Sequence, residues 1–398
     1  MVITLLATHY ENQKMVAARR WRSLVCFLVK EGTQVFVVTP GVENNEYIGD
    51  SGEIIIVFKI PKRKKANNSD VSKIKTRKTI PSPFPYLDVS LITWLASIRD
   101  KRIHDCCSQS NILISTYGPS GAMLLGLWFS YKYKKPWVLD LRDSFQVPNS
   151  FGFNMLTKLN MFIEKRIVRK ADLCITVGKT LAKFMRGKYQ CDIKVIYNGW
   201  LDSDRLKLLG SQQEKSFYIY AGSLYQHQLA SLKVFLLGLL AQKKHTLRIR
   251  LVKDYSGYLD EWLVENGFND IVEIMPAILN KELQLEIESS LAVLVLEELT
   301  PNEWQKGTVT GKLFSLLVSG IPGIVICHPS VELYTLAQQA NGWFCAHDKA
   351  SAVKAIEYIS VCNRDELNSN KDVFKGYQFS VQAKKLTQLF KGVINERN

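Results

Sequence analysis

The sequence predicts an α/β protein built from two parallel-sheet domains in tandem, and three observations predict it. At 398 residues the chain is longer than one ordinary hydrophobic core organises. Short β-branched runs alternate with amphipathic helical patterns along its length, which implies parallel strands joined by right-handed crossovers. The alternation runs in two series, parted by Asn198-Gly199 and the polar stretch Asp202–Lys215. That break places the domains at residues 1–201 and 202–379.

In the first series the apolar run Val2–Ala7 reads as a strand. An amphipathic helix follows near Lys14–Lys30, closed by Gly32, and then strands Gln34–Thr39 and Glu53–Ile60. The segment from Lys59 to Lys78 is a loop by its Asn67-Asn68-Ser69 and by Pro81, Pro83 and Pro85 beyond it. One long helix is expected from Asp88 to about Cys106. Strand Asn111–Thr116, helix Gly121–Tyr133, strand Trp137–Leu141, helix Met155–Lys170 and strands Leu173–Val177 and Lys194–Tyr197 complete the series. The second series has strands at Phe217–Ala221, Leu247–Val252, Ile271–Met275, Leu291–Leu296 and Gly323–Cys327, with helices between. A last helix spans about Ser380–Glu396, its apolar side carrying Val381, Leu386, Leu389, Phe390 and Val393.

Apolar residues at 46% and charged residues at 22% describe a soluble globular chain rather than a disordered one. The net charge of +15 is unevenly placed. Nine Lys or Arg residues between Lys59 and Lys78 face the single acid Asp70, so this segment supplies +8 of the total. Charge so concentrated points to one anionic surface, a membrane face, rather than to nucleic acid. The segment has no interleaved aromatics and matches no nucleic-acid-binding motif. No run approaches the roughly 18 apolar residues of a membrane span, and Val2–Ala7 lacks the features of a signal peptide, so the chain is expected in the cytoplasm, peripheral on the membrane's inner face. Its eight cysteines lie without a C-x-x-C spacing and read as reduced thiols rather than as disulfides or zinc ligands.

Several motifs then line up. Asn111–Gly126 reads NILISTYGPSGAMLLG, Pro136–Asp143 reads PWVLDLRD, Glu164–Val177 reads EKRIVRKADLCITV and Val195–Gly199 reads VIYNG. In the second half Tyr220–Tyr225 is YAGSLY and Gly307–Pro322 is GTVTGKLFSLLVSGIP. In this order and at these separations the set resembles bacterial family-four-type glycosyltransferases of the GT-B fold, especially those that build surface polysaccharides and lipopolysaccharide. The resemblance implies two Rossmann-like doubly wound domains facing a cleft, with the nucleotide sugar on the C-terminal one and the acceptor largely on the N-terminal one. It implies transfer with retained anomeric configuration, with no metal and no cofactor beyond the nucleotide-sugar co-substrate. The closing helix, 380–398, then resembles the one that packs back on the first domain.

The residues carry chemistry of their own. Gly311 opens a helix that carries Lys312, and a helix start with a nearby ammonium suits a diphosphate. Lys312 resembles the family lysine that neutralises the departing nucleotide diphosphate, where a fixed cation lowers the barrier; by spacing alone it is an ordinary helix lysine. Gly222, with Ser223 and Tyr225 after it, is read as a strand–helix turn that lets backbone approach a phosphate. Asp140, Arg142 and Asp143 sit where a buried strand ends, and charges there are either paired or used. They orient sugar hydroxyls as catalytic residues, or an Arg142–Asp ion pair braces the loop. Tyr117 and Gly118 follow another strand on the acceptor side, and Met123 stands where relatives often place a histidine. Gly307 and Ser315 stand where relatives place two glutamates, the second of which grips the ribose. Glu297, Glu298 and Glu303 are close enough in sequence to replace them.

Two readings of function follow. The first is an active nucleotide-sugar-dependent transferase acting on a polysaccharide or lipid-linked glycan. The second is a catalytically weakened scaffold of the same fold that binds partners in polysaccharide assembly, which Met123, Gly307 and Ser315 favour.

Overall fold

The computed structural model describes residues 1–11, 16–60, 89–117, 120–142, 154–205, 216–242, 245–362, 367 and 369–397. The chain divides into two compact units. The first comprises Met1–Val177, Ala182–Tyr197 and Gln382–Asn398, and the second Gly178–Leu181 and Asn198–Val381.

The first unit is built from β1 (Val2–Leu6), α1 (Val16–Lys30), β2 (Gln34–Gly41), β3 (Asn45–Ile48), β4 (Ile54–Lys59), α2 (Val89–Leu95), α3 (Lys101–Gln109), β5 (Ile112–Thr116), α4 (Gly121–Tyr133), β6 (Trp137–Asp140), α5 (Asn154–Val168), β7 (Leu173–Thr176), most of α6 (Lys179–Tyr189) and β8 (Ile193–Val195). Its eight strands run in the order β3-β4-β2-β1-β5-β6-β7-β8, parallel except for β3. Every residue of β5 and β6 is buried, because helices cover both faces of a parallel sheet and leave no side for polar alternation. β3 shows the converse: its four residues are all exposed and it pairs antiparallel on the edge. The expected helix 88–106 is broken. A 3-10 turn at Ala96–Arg99 leads to Asp100, whose extended backbone and side chain cap α3 by accepting the Arg102 N–H.

The second unit has β9 (Phe217–Leu224), α7 (Leu229–Gln242), β10 (Thr246–Asp254), α8 (Leu259–Glu265), β11 (Val272–Pro276), α9 (Asn280–Ser289), β12 (Val293–Leu296), α10 (Leu313–Leu317), β13 (Gly323–Ile326), α11 (Glu332–Ala337), β14 (Trp343–Ala346), α12 (Lys349–Val361) and α13 (Asn370–Val373). Its six strands are parallel, in the order β11-β10-β9-β12-β13-β14. Tyr218, Phe235, Leu247, Leu294 and Ile324 lie in its core, and α7 packs on α12 where Gly238 leaves room for Ala352.

The last helix, α14 (Phe379–Arg397), belongs from Gln382 onward to the first unit. Gln382, Leu386 and Phe390 recur every four residues on one face and are buried, as a helical stripe against a core requires. The Gln382 Oε1 accepts the Tyr197 N–H at 2.9 Å, and Arg397 pairs with Asp172.

Among the parallel strands of each sheet the order reverses once, between β1 and β5 in the first and between β9 and β12 in the second. Strand ends splay apart there, and ligands of doubly wound folds bind at the carboxyl ends beside that point.

Candidate functional site

In the second unit the residues at the reversal are Gly222 to Leu224 at the end of β9 and Glu297 just after β12. The Lys312 Nζ donates to the carbonyl of Ala221 at 3.2 Å, so the lysine and the β9 end share one place although 91 residues separate them. Lys312 is not carried on a helix opened by Gly311, as the sequence suggested. It caps α10, which begins at Leu313 and is only five residues long, so the ammonium itself, not a helix dipole, is the charge this stretch offers. Gly222 also differs from expectation. It lies inside β9, paired with Leu251, and a Cβ there would meet nothing nearer than the Tyr220 hydroxyl at 3.6 Å. The glycine is not needed for a turn; it leaves open space at the strand end. The turn itself comes at Tyr225, after Ser223, whose carbonyl accepts the Tyr220 O–H at 2.7 Å. Tyr225 is partly exposed and stacks on Tyr255 with centroids 4.7 Å apart.

Ser315 is on the buried side of α10, and its Oγ has no hydrogen-bond partner among the described residues. A buried hydroxyl in that state costs free energy unless a ligand satisfies it. Gly307 stands where a glutamate was looked for, and the structure shows why none is present. A Cβ there would lie 2.5 Å from the backbone nitrogen of Leu181, in the same unit. Of the three glutamates that could replace it, Glu298 is tied to Thr300 and Gln305, and Glu303 is exposed and paired with Lys306. Glu297 is different. It is buried at the end of β12, and burial, with a smaller push from Glu298, raises its carboxyl to about 8.

In the first unit Asp140 is fully buried and engaged by α1. The Trp21 Nε1 donates to it at 2.8 Å, and the buried Arg20 guanidinium lies 3.4 Å from it. The sequence placed Asp140 in catalysis or in a pair with Arg142; the partner is Arg20, and the carboxylate braces helix against sheet. Arg142 instead reaches the Tyr117 carbonyl at 3.5 Å, so these two strand-end residues do meet. Met123 is a correction: the first turn of α4 turns it into the core, with 0% of its surface exposed, and it lines no acceptor surface. Asp143 and Gly118 lie outside the described residues, as does the basic segment beyond Ile60.

The sequence reading missed His9. It follows β1 at the reversal point of the first sheet, close enough to Arg142 to feel its charge, and burial first and Arg142 second hold its imidazole below the usual value. A histidine in the first strand–helix turn was the available signal.

Residues 17–200 match the family described as Glycosyltransferase Family 4. Among solved structures the chain is similar to sucrose-phosphate synthase from Thermosynechococcus elongatus (13% identity, TM-score 0.68, 100% of each chain covered). It is also similar to HepE of Anabaena in complex with UDP (15%, 0.60, 98% of this chain and 100% of that one). A third is the catalytic domain of starch synthase IV from Arabidopsis thaliana bound to ADP and acarbose (11%, 0.64, 99% of each). No protein of curated function matches in sequence. Identities this low establish the fold, and the family match covers 184 of the 398 residues. Two mainly parallel sheets in tandem give the chain the GT-B fold of these structures, and residues 17–200 are similar to the family-four glycosyltransferases.

Proposed function

We propose that the chain transfers a sugar from a nucleotide-sugar donor to a polysaccharide or lipid-linked glycan, with retention of configuration and without a metal. The observation that carries this reading is the Lys312–Ala221 bond. It holds a cation at the carboxyl end of β9, beside the strand-order reversal, where a departing diphosphate would gather charge. The unsatisfied Ser315 hydroxyl supplies a partner for a ligand oxygen near the same short helix. The reading also has the Lys59–Lys78 segment engage an anionic membrane surface. Its test is calorimetric titration with UDP-, GDP- and CMP-sugars. One nucleotide class is expected to bind with Lys312 intact and to weaken in Lys312→Ala; binding of none of them overturns the reading.

Gly307 favours a second reading, a scaffold of weakened catalysis, because the backbone of Leu181 closes the space a carboxylate would need. Nucleotide binding without turnover, in the presence of glycan acceptors and with release of free nucleotide diphosphate followed, would select it.

A further inference from the structure

At the outer edge of the first unit, the carboxyl end of β4 meets the start of α3 around a cavity of about 510 Å3. Its walls divide by chemistry. Ala96 is the apolar residue of the lining with exposed surface, while the Phe58 ring lies buried behind it, edge-on against Trp94 at 5.0 Å. Lys59, Arg99, Lys101 and Arg102 supply four cations against one carboxylate, Asp100. That carboxylate is already neutralised. Arg102 grips both of its oxygens, at 3.0 and 2.6 Å, while also donating to the carbonyls of Asn45 and Val57. Arg102 therefore fixes the wall of the cavity and Asp100 caps α3. Lys59, Arg99 and Lys101 are exposed and have no ion-pair partner among the described residues. Three cations in one concavity repel each other unless an anion joins them.

We infer that this cavity binds a phosphate-bearing ligand, with Arg99 and Lys101 as its principal contacts and Lys59 and Ala96 beside the body to which the phosphate is attached. Arginine offers a planar fork to phosphate oxygens and lysine a point charge, and the start of α3 between them adds the positive end of a nine-residue helix. The volume suits a phosphate with a sugar-sized body rather than a bare ion. The site lies on the first unit's own edge and does not depend on the donor reading. A soluble sugar phosphate and a lipid phosphomonoester share the chemistry.

The experiment compares the full chain with the Arg99→Ala/Lys101→Ala double variant, which leaves Arg102 and the Asp100 cap in place. Glucose 1-phosphate is titrated calorimetrically, and co-sedimentation is measured with phosphatidylcholine vesicles with and without phosphatidic acid. The expected result is binding of at least one phosphate probe, weakened at least about tenfold in the double variant. Lys312→Ala should leave that binding unchanged, and nucleotide affinity should be unchanged in the double variant. Glucose 1-phosphate binding identifies a soluble ligand; binding confined to phosphatidic acid vesicles and weakened in the double variant identifies a lipid one, since the basic segment 62–78 is unchanged in that variant. Equal binding of every probe by wild type and double variant, or binding of none, overturns the inference whatever the fate of the donor site.

Discussion

The ammonium of Lys312 and the carbonyl of Ala221 are joined at 3.2 Å, which places the residue before α10 against the carboxyl-terminal half of β9 in the second unit. A strand-end carbonyl is a weak partner for a full positive charge, and phosphate oxygens are a better one. Lys312→Ala is therefore expected to lower nucleotide affinity by about tenfold to a hundredfold, the range of one charged hydrogen bond. Melting should stay near the wild-type temperature. Isothermal calorimetry and a thermal scan on the same sample decide the matter: equal affinity with a lowered melting temperature would leave the lysine as a brace for β9.

Ser315→Ala separates binding from stability in the other direction. Its hydroxyl is buried and unsatisfied within the described residues, so removing it should leave stability unchanged or slightly raised. Nucleotide affinity should fall several-fold if a ligand oxygen completes that hydroxyl. Ser315→Glu would bury a carboxylate on the same face and is expected to lower both. A Ser315→Glu protein that binds nucleotide more tightly, at wild-type stability, would contradict this account.

Glu297 makes stability depend on pH. Its carboxyl rises from the ordinary 4.5 to about 8 on folding, so between those values the native state keeps a proton that the unfolded chain has lost. The stability this group contributes is complete below about pH 4.5 and is lost as pH rises to about 8, at up to about 1.4 kcal/mol per pH unit. Glu297→Gln, a neutral isostere, should remove that slope. Denaturant melts from pH 5 to 8 should show the variant gaining on the wild type throughout; parallel curves would refute the assignment.

Asp140 is expected to matter for folding and not for chemistry. Asp140→Ala leaves the Arg20 guanidinium buried without its carboxylate, which costs about 3–5 kcal/mol. Urea unfolding of the variant should show a loss of that order. The proposed sugar transfer, measured per folded molecule, should persist. Lost activity at unchanged stability would restore the catalytic role that the PWVLDLRD motif suggested.

The parallel strands were legible because covered strands such as Ile112–Thr116 must be apolar at every position. Two of the four edge strands were not. Asn45–Ile48 is exposed throughout, so no burial pattern marks it, and Trp343–Ala346 is four residues long and differs little from a loop. The break at Asp100 had a signal, an N-cap aspartate two residues before an arginine, that helical periodicity obscured. In the candidate site the sequence found Lys312 and Ser315 because they lie in one motif. The Asp140–Arg20 pair, 120 residues apart, and the backbone of Leu181 over Gly307 arise only from tertiary approach.

The bond from Gln382 to Tyr197 also sets an order in time. Residues 382–397 leave the ribosome only after the whole of the second unit has been made. Leu386 and Phe390 are absent from the first unit's hydrophobic interior until then. The unit that is synthesised first is thus completed last. Until they arrive the places of Leu386 and Phe390 in that core stay unfilled, and a stop codon before residue 382 would leave them so.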